Sequence, residues 1–212
     1  MTLKLVTVPD QLLRQPNQPV SNHFNPNTVQ FLKDMANSLI NKDNPPGVGL
    51  SAVQVGTPVR IFMTYLPPIN DLVTLDEDMP PQELKIFMNP EIIDKSEKMT
   101  LGPDKKHPAL EGCLSIPNLY GPIYRHQTIK IKYQTISLEK SDDSGDSSNR
   151  PIRPIVKTEI FSHFFARVIQ HEYDHLDGIL FTDYTKKDNL PLYFDNGKSL
   201  IEIAKPEELI NW

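Results

Sequence analysis

His171-Glu172-Tyr173-Asp174-His175 sets two imidazoles four residues apart, with a carboxylate beside the first. On a helix, two histidines one turn apart converge on one metal ion, and the Glu between them sits next to it as a general base. The pattern has only three fixed positions and arises by chance in unrelated helices, so it needs a further ligand to carry weight. A mononuclear catalytic site takes three protein ligands and leaves a fourth position for water, whose pKa the metal lowers. The metzincin spacing asks for a His where this chain has Phe181. Glu202, Asp177 and Asp183 remain as carboxylate candidates, the first in a weakly helical segment and the other two around the helix end. Cys113, in Glu111-Gly112-Cys113-Leu114-Ser115-Ile116-Pro117, is the better third ligand. A metal would hold its thiolate deprotonated, and Gly112 would let the backbone approach the site. Cys113 is the one cysteine of the chain, which excludes an internal disulfide and fits a reducing compartment. Without such neighbours it would read as a small buried hydrophobe.

A further segment, Gly47-Val48-Gly49-Leu50-Ser51-Ala52-Val53-Gln54, follows Pro45-Pro46. Its bland reading is a turn leading into a strand or short helix. Its functional reading is side-chain-free backbone against which a substrate can lie, with the Gln54 amide as a hydrogen-bond donor. The dinucleotide fingerprint is absent, because no G-x-x-G follows and no strand precedes it, so a solute- or nucleotide-binding domain built on this turn lacks its companion motif.

Residues so far apart in sequence need elements to bring them together. Ile160, Phe164, Val168, His171 and His175 recur at spacings of 4, 4, 3 and 4, which predicts a helix from about Glu159 to Leu176 with Gly178 as its C-terminal stop. One face of it is apolar and then imidazole, so its histidines point into the core and require partners there. An earlier helix is expected from Asn25-Pro26-Asn27, with Leu32, Met35, Ala36 and Leu39 inward and Pro45-Pro46 ending the run. Strands are expected at Val59 to Met63, Lys85 to Met88 and Ile129 to Tyr133; the strict alternation of the last predicts a half-solvated antiparallel strand. The predicted class is α+β, with antiparallel sheets around a central helix carrying the two histidines.

The chain has 212 residues, which predicts one domain spanning 1–212. Its 22 basic and 27 acidic residues give 22 − 27 = −5, and no basic block of the kind that tracks a phosphate backbone appears, so no nucleic-acid site is expected. No apolar run approaches the roughly 20 residues a bilayer requires, and Met1 to Val6 carries no targeting pattern, so a soluble cytoplasmic chain is expected. Pro is more than twice as frequent as Gly (20 against 9) and falls mainly between elements. Surface insertions are expected at 69–82, which is acidic and Pro-bounded, and at 141–150, which is almost without apolar residues.

Together, Gly-Val-Gly-Leu-Ser-Ala-Val-Gln, Glu-Gly-Cys-Leu-Ser and Gln-His-Glu-Tyr-Asp-His-Leu-Asp-Gly resemble the three motifs of the peptide deformylase family, in the family's order. The likeness runs from Val8-Pro9-Asp10 to about Asp183. It implies one divalent metal, usually ferrous iron in the family, bound by Cys113, His171 and His175; zinc, nickel or cobalt suit the same donors. It implies that the substrate is the N-formyl-methionine end of a nascent chain, met near the ribosome, and that formate is released. Glu172 would carry the proton, while the Gln54 amide and the Leu114 backbone N–H would stabilise the developing oxyanion. The peptide would bind as an added strand near Gly47 and Gly49, and Val48, Phe164, Phe165 and Val168 would wall a methionine pocket. Glu111 and Arg125 would pair behind Cys113.

The chain departs from the family pattern in places. Ser51 stands where Ala is usual, Tyr120 stands where many members carry a basic residue, and 92–110 is longer than in compact members, a third expected surface insertion. Two rivals predict different behaviour. An endoprotease built on the same helix motif would be indifferent to Cys113→Ser, and a silent relative would use the site as a structural clip, which normally takes four protein ligands.

Overall fold

The computed structural model describes residues 2–21, 26–43, 45–66, 83–102, 108–136, 154–206 and 210. The expected insertions at 69–82 and 141–150 lie outside these residues. The first helix, α1, runs Pro26–Ile40 and buries Leu32, Met35, Ala36 and Leu39, the four positions its spacing predicts. These pack on Leu50, Ile61, Met63, Ile86 and Met88 in one core cluster.

The glycine segment forms a short strand, β1 (Gly49–Ser51), and then a 3-10 turn over Ala52–Val55. The strand expected at Val59 to Met63 is β2 (Ile61–Leu66), and Lys85 to Met88 falls inside the longer β3 (Glu83–Lys95). Of the stretch 92–110, the first residues complete β3, Met99–Thr100 form β4 and Leu110 opens the next strand, so half of its described residues are strand. Next come β5 (Leu110–Cys113), β6 (Ile116–Pro122), β7 (Arg125–His126) and β8 (Thr128–Thr135). On β8, Ile129, Ile131 and Tyr133 are buried while Lys130 and Lys132 are exposed, as the alternation predicts.

The helix predicted from Glu159 starts later. Ile155–Ser162 is a strand, β9, paired antiparallel along β8 from Thr128↔Ser162 to Thr135↔Ile155, and the helix α2 covers His163–Leu176. The β-branched Ile155, Val156 and Thr158 fit a pleated strand, and its pairing with β8 continues through Glu159–Ser162, overriding the helical spacing there. Ile160 therefore lies on the outer face of the sheet, 62% exposed, and does not belong to the helix stripe. The chain turns from strand to helix at His163, whose φ is +54°. At the other end Gly178 takes φ +72°, which serves as the expected stop.

A short helix α3 (Phe181–Lys187) and a hairpin of β10 (Tyr193–Asp195) and β11 (Leu200–Glu202) follow. The strands form an antiparallel sheet ordered β1-β2-β3-β8-β9, a second ordered β11-β10-β6-β5, and the small pair β4-β7. Helix α2 packs against β1, β2, β7, β8 and β9, while α3 contacts β5 and β6. The class is α+β with antiparallel sheets, as expected. Among the described residues, β1 and β5 are each the outermost strand of their sheet. The segment before α1 joins the two halves: the Val6 N–H donates to the Gln54 carbonyl at 2.8 Å, and the Val8 N–H donates to the Ser115 carbonyl at 3.0 Å.

Candidate active site

Two turns at the end of α2 present His171 and His175, with ring centroids 5.1 Å apart and planes at 87°. Cys113, the last residue of β5, brings its Sγ to 3.2 Å from His175 Nε2. One donor atom from each of Cys113, His171 and His175 lies within 4.8 Å of the others, a group that can hold a metal ion. Of the carboxylates weighed as alternatives, Asp177 and Asp183 pair instead with Arg60 and Arg14 on the surface, and Glu202 is on exposed β11.

Behind this trio lies Glu111, 6% exposed, which accepts from three side chains. Arg125 donates through Nε to Oε1 at 3.0 Å and through a terminal nitrogen to Oε2 at 2.9 Å. Arg167 adds a bond to Oε1 at 2.8 Å, and His171 Nδ1 lies 3.1 Å from Oε2. With Nδ1 donating to Glu111, the Nε2 lone pair of His171 is the one available to a metal, and the imidazole's rotation is fixed. Burial alone would raise the Glu111 carboxyl, but the charge and hydrogen bonds of Arg125 and His171 hold it well below the usual carboxylate range. The expected Glu111–Arg125 pair is thus present, and Arg125 also reaches Asp174. Arg167 was not foreseen, although it stands one turn before His171 on the same face.

Glu172 is 3% exposed, and burial pushes its carboxyl up to about 7 against the pull of His171 and a hydrogen bond from Ser51. The Ser51 hydroxyl lies 2.8 Å from Glu172 Oε2 and 2.9 Å from its backbone carbonyl. The other carboxylate oxygen rests against Gly49, where a Cβ would lie 2.4 Å from Oε1. Gln54 is oriented from both ends. Its Oε1 accepts from the Ser51 N–H at 2.8 Å, so its Nε2 faces Cys113 Sγ at 3.4 Å and Ser115 Oγ at 3.2 Å.

A cleft of about 340 Å³ opens over these groups between β1 and β5. Gly47, Val48, Gly49 and Gln54 line it on the β1 side, and Gly112, Cys113, Leu114 and Tyr120 on the β5 side. From α2 it receives Phe164, Val168, His171 and Glu172. Phe165, expected in the pocket wall, is not there: its ring stacks 6.5 Å from Phe161 in the core beneath the large sheet. Adjacent helix residues diverge by about 100°, so Phe164 and Phe165 cannot both face the cleft. Tyr120 lies with its ring against Gly112, where a Cβ would meet ring carbon Cε1 at 2.5 Å.

A helix-borne pair of histidines, a nearby thiol, a buried carboxylate and an oriented amide over an open cleft define the class: a mononuclear metallohydrolase. The family model for polypeptide deformylase matches residues 2–190. Peptide deformylase from Flavobacterium johnsoniae is 34% identical over 191 residues, covering 86% of this chain and 81% of that protein. Peptide deformylase 1 from Rickettsia conorii is 37% identical over 182 residues, covering 86% of each. Among solved structures, a class I type b peptide deformylase from Acinetobacter baumannii, bound to Met-Ala-Ser, superposes with TM-score 0.65 at 27% identity, covering 87% of this chain and 98% of that one. The Thermotoga maritima peptide deformylase gives 0.62 at 27% identity, covering 87% and 97%. The chain belongs to the polypeptide deformylase family, hydrolases that remove the N-formyl group from newly made polypeptides.

Proposed function

We propose that this chain removes formyl from N-formyl-methionyl peptides in the cleft between β1 and β5, with Cys113, His171 and His175 holding one divalent metal ion. The observation that carries this reading is a pair of sheet edges, outermost among the described residues, one with Gly49 and the other with Gly112, lining one cleft together with Cys113 and His171. An extended peptide laid there gains backbone hydrogen bonds from both sheets, which gives affinity without demanding a particular sequence. Val48, Phe164 and Val168 offer the apolar surface for the methionine side chain.

The donor set fits a metal of borderline softness, and Glu111 already holds His171 in the tautomer that such a metal requires. A metal bound there supplies a Lewis-acidic charge that acidifies water and polarises the formyl carbonyl. Ferrous iron is the metal proposed, by family likeness. Glu172 takes a proton from the attacking water and delivers it to the amine nitrogen as the C–N bond breaks. Gln54 Nε2 and the Leu114 N–H donate to the formyl oxygen as charge gathers on it; losing one such donor typically costs about 100- to 1,000-fold in rate. Nascent chains near the ribosome are the proposed substrates and the cytoplasm the proposed compartment.

The test is formate release from formyl-Met-Ala-Ser by protein purified without air, with bound metal measured on the same sample. The expected result is turnover with about one iron per chain, abolished in Glu172→Ala and in Cys113→Ser. Formate no higher than the Glu172→Ala background would overturn the proposal. Cleavage of unformylated peptides with Cys113→Ser fully active would assign the endoprotease instead.

A further inference from the structure

The peptide-binding strand β5 must be held at the right distance from α2, and one side chain grips it from two directions. Arg167 is 7% exposed and donates three hydrogen bonds. One terminal nitrogen serves both Glu111 Oε1 at 2.8 Å and the Ile123 carbonyl at 2.9 Å, and the other serves the Thr100 carbonyl at 2.7 Å. Glu111 belongs to β5 itself. Thr100 reaches β5 from the other end. Its hydroxyl accepts from the Gly102 N–H at 2.9 Å and lies 2.6 Å from the Gly102 carbonyl, closing a tight turn. Within that turn the Leu101 carbonyl accepts from the Ala109 N–H at 2.8 Å. The fit is close, since a Cβ on Gly102 would sit 2.2 Å from Ala109 N. Ala109, Leu110, Glu111 and Gly112 all line the cleft.

We infer that Arg167 is a positioning residue for peptide binding, fixing the edge Ala109 to Gly112 to helix α2 through Glu111 at one end and the Thr100 turn at the other. This rests on the proposal that the peptide pairs with β5. Charge neutralisation of Glu111 does not require Arg167, because Arg125 already binds both carboxylate oxygens. The Arg125 guanidinium spends its donors on Glu111 and Asp174, and Arg125 meets Thr100 only through the backbone pairing of β4 with β7, so the side-chain link from Thr100 to α2 is made by Arg167. Loss of Arg167 therefore loosens the edge more than the ligand shell. Of the guanidinium's three acceptors, two are backbone carbonyls, those of Thr100 and Ile123, and a single ammonium can satisfy the three only in part.

The test compares the metal-loaded full chain with Arg167→Met, which keeps the apolar stem, and Arg167→Lys, which keeps the charge. In Arg167→Met, amide hydrogen exchange in 99–102 and 108–112 is expected to rise about 10-fold with α1 unchanged, as loss of charge-assisted bonds of this kind implies. KM for formyl-Met-Ala-Ser is expected to rise about 10-fold with kcat within about 3-fold, and Arg167→Lys to recover part of both effects. Exchange that rises equally in α1, or wild-type exchange and KM, would overturn the inference; so would a fall in kcat at constant KM. If Arg167→Met fails to fold, Arg167→Lys decides: wild-type exchange and KM in that variant overturn it. A wild-type chain without deformylase activity would sink the proposed function, while the exchange comparison would still judge whether Arg167 holds this edge.

Discussion

Glu172 is set between two neighbours that leave it little freedom: Gly49 against one oxygen and the Ser51 hydroxyl on the other. In Gly49→Ala the new methyl would displace the carboxylate, and a shift of about 1 Å in a catalytic group can cost on the order of 100-fold in rate. The expected outcome is that loss in kcat with metal content unchanged, read by turnover and metal analysis on one preparation. Ser51 acts on charge. Its hydrogen bond favours the ionised carboxylate, so Ser51→Ala raises the Glu172 pKa and moves the acidic limb of kcat/KM to higher pH. A pH–rate profile with the limb unmoved would refute that role. The residues of the site were legible by type: two His one turn apart, the Glu between, a lone Cys with small neighbours and an amide after a glycine turn. Ser51 read only as a small substitute for Ala, because its partner lies 121 residues away and no local spacing announces it.

At the scale of elements, α2 shows both the strength and the limit of periodicity. From Phe164 onward the 3.6-residue pattern found the right face, while Ile160 matched it by coincidence on a strand committed to β8. Phe165 failed for the opposite reason, since a neighbouring aromatic was assigned to a face it cannot share. The join between α2 and β5 is ionic, and Glu111 is its centre. Glu111→Gln leaves two buried guanidiniums facing a neutral amide, a loss expected to destabilise by about 3–5 kcal/mol, measurable by denaturant unfolding. The pH dependence follows from the depressed carboxyl. Its contribution is fully present above the ordinary value of 4.5 and is lost as pH falls toward the lowered native value. Acid unfolding followed by circular dichroism is therefore expected to be less steep in the variant below about pH 4.5 than in the wild type.

Across the whole molecule, the site draws on both larger sheets and the helix α2, so its ligands are a cross-link among parts otherwise joined by side-chain packing and by the backbone bonds of Val6 and Val8. Metal that binds the folded chain alone stabilises it by about 2.7 kcal/mol at 100-fold excess over Kd. For a chain of this length that is about 5–10 °C in Tm. Removal by chelator is expected to lower Tm by that order, and readdition to restore it; an unchanged Tm would mean that no metal bridges these elements. The fold class was readable from alternation and motif order, but the sheet order and the facing edges were not, because strand pairing is decided by non-local contacts. The stitch made by Val6 and Val8 has a consequence for biosynthesis. Val6 waits for Gln54, 54 − 6 = 48 residues later, and Val8 for Ser115, 115 − 8 = 107 residues later. As the polypeptide leaves its own ribosome, Val8 has no partner until Ser115 has emerged, and the site is complete only after His175 has followed. Such long sequence separations make for slow folding, so the site is among the last parts of the molecule to form.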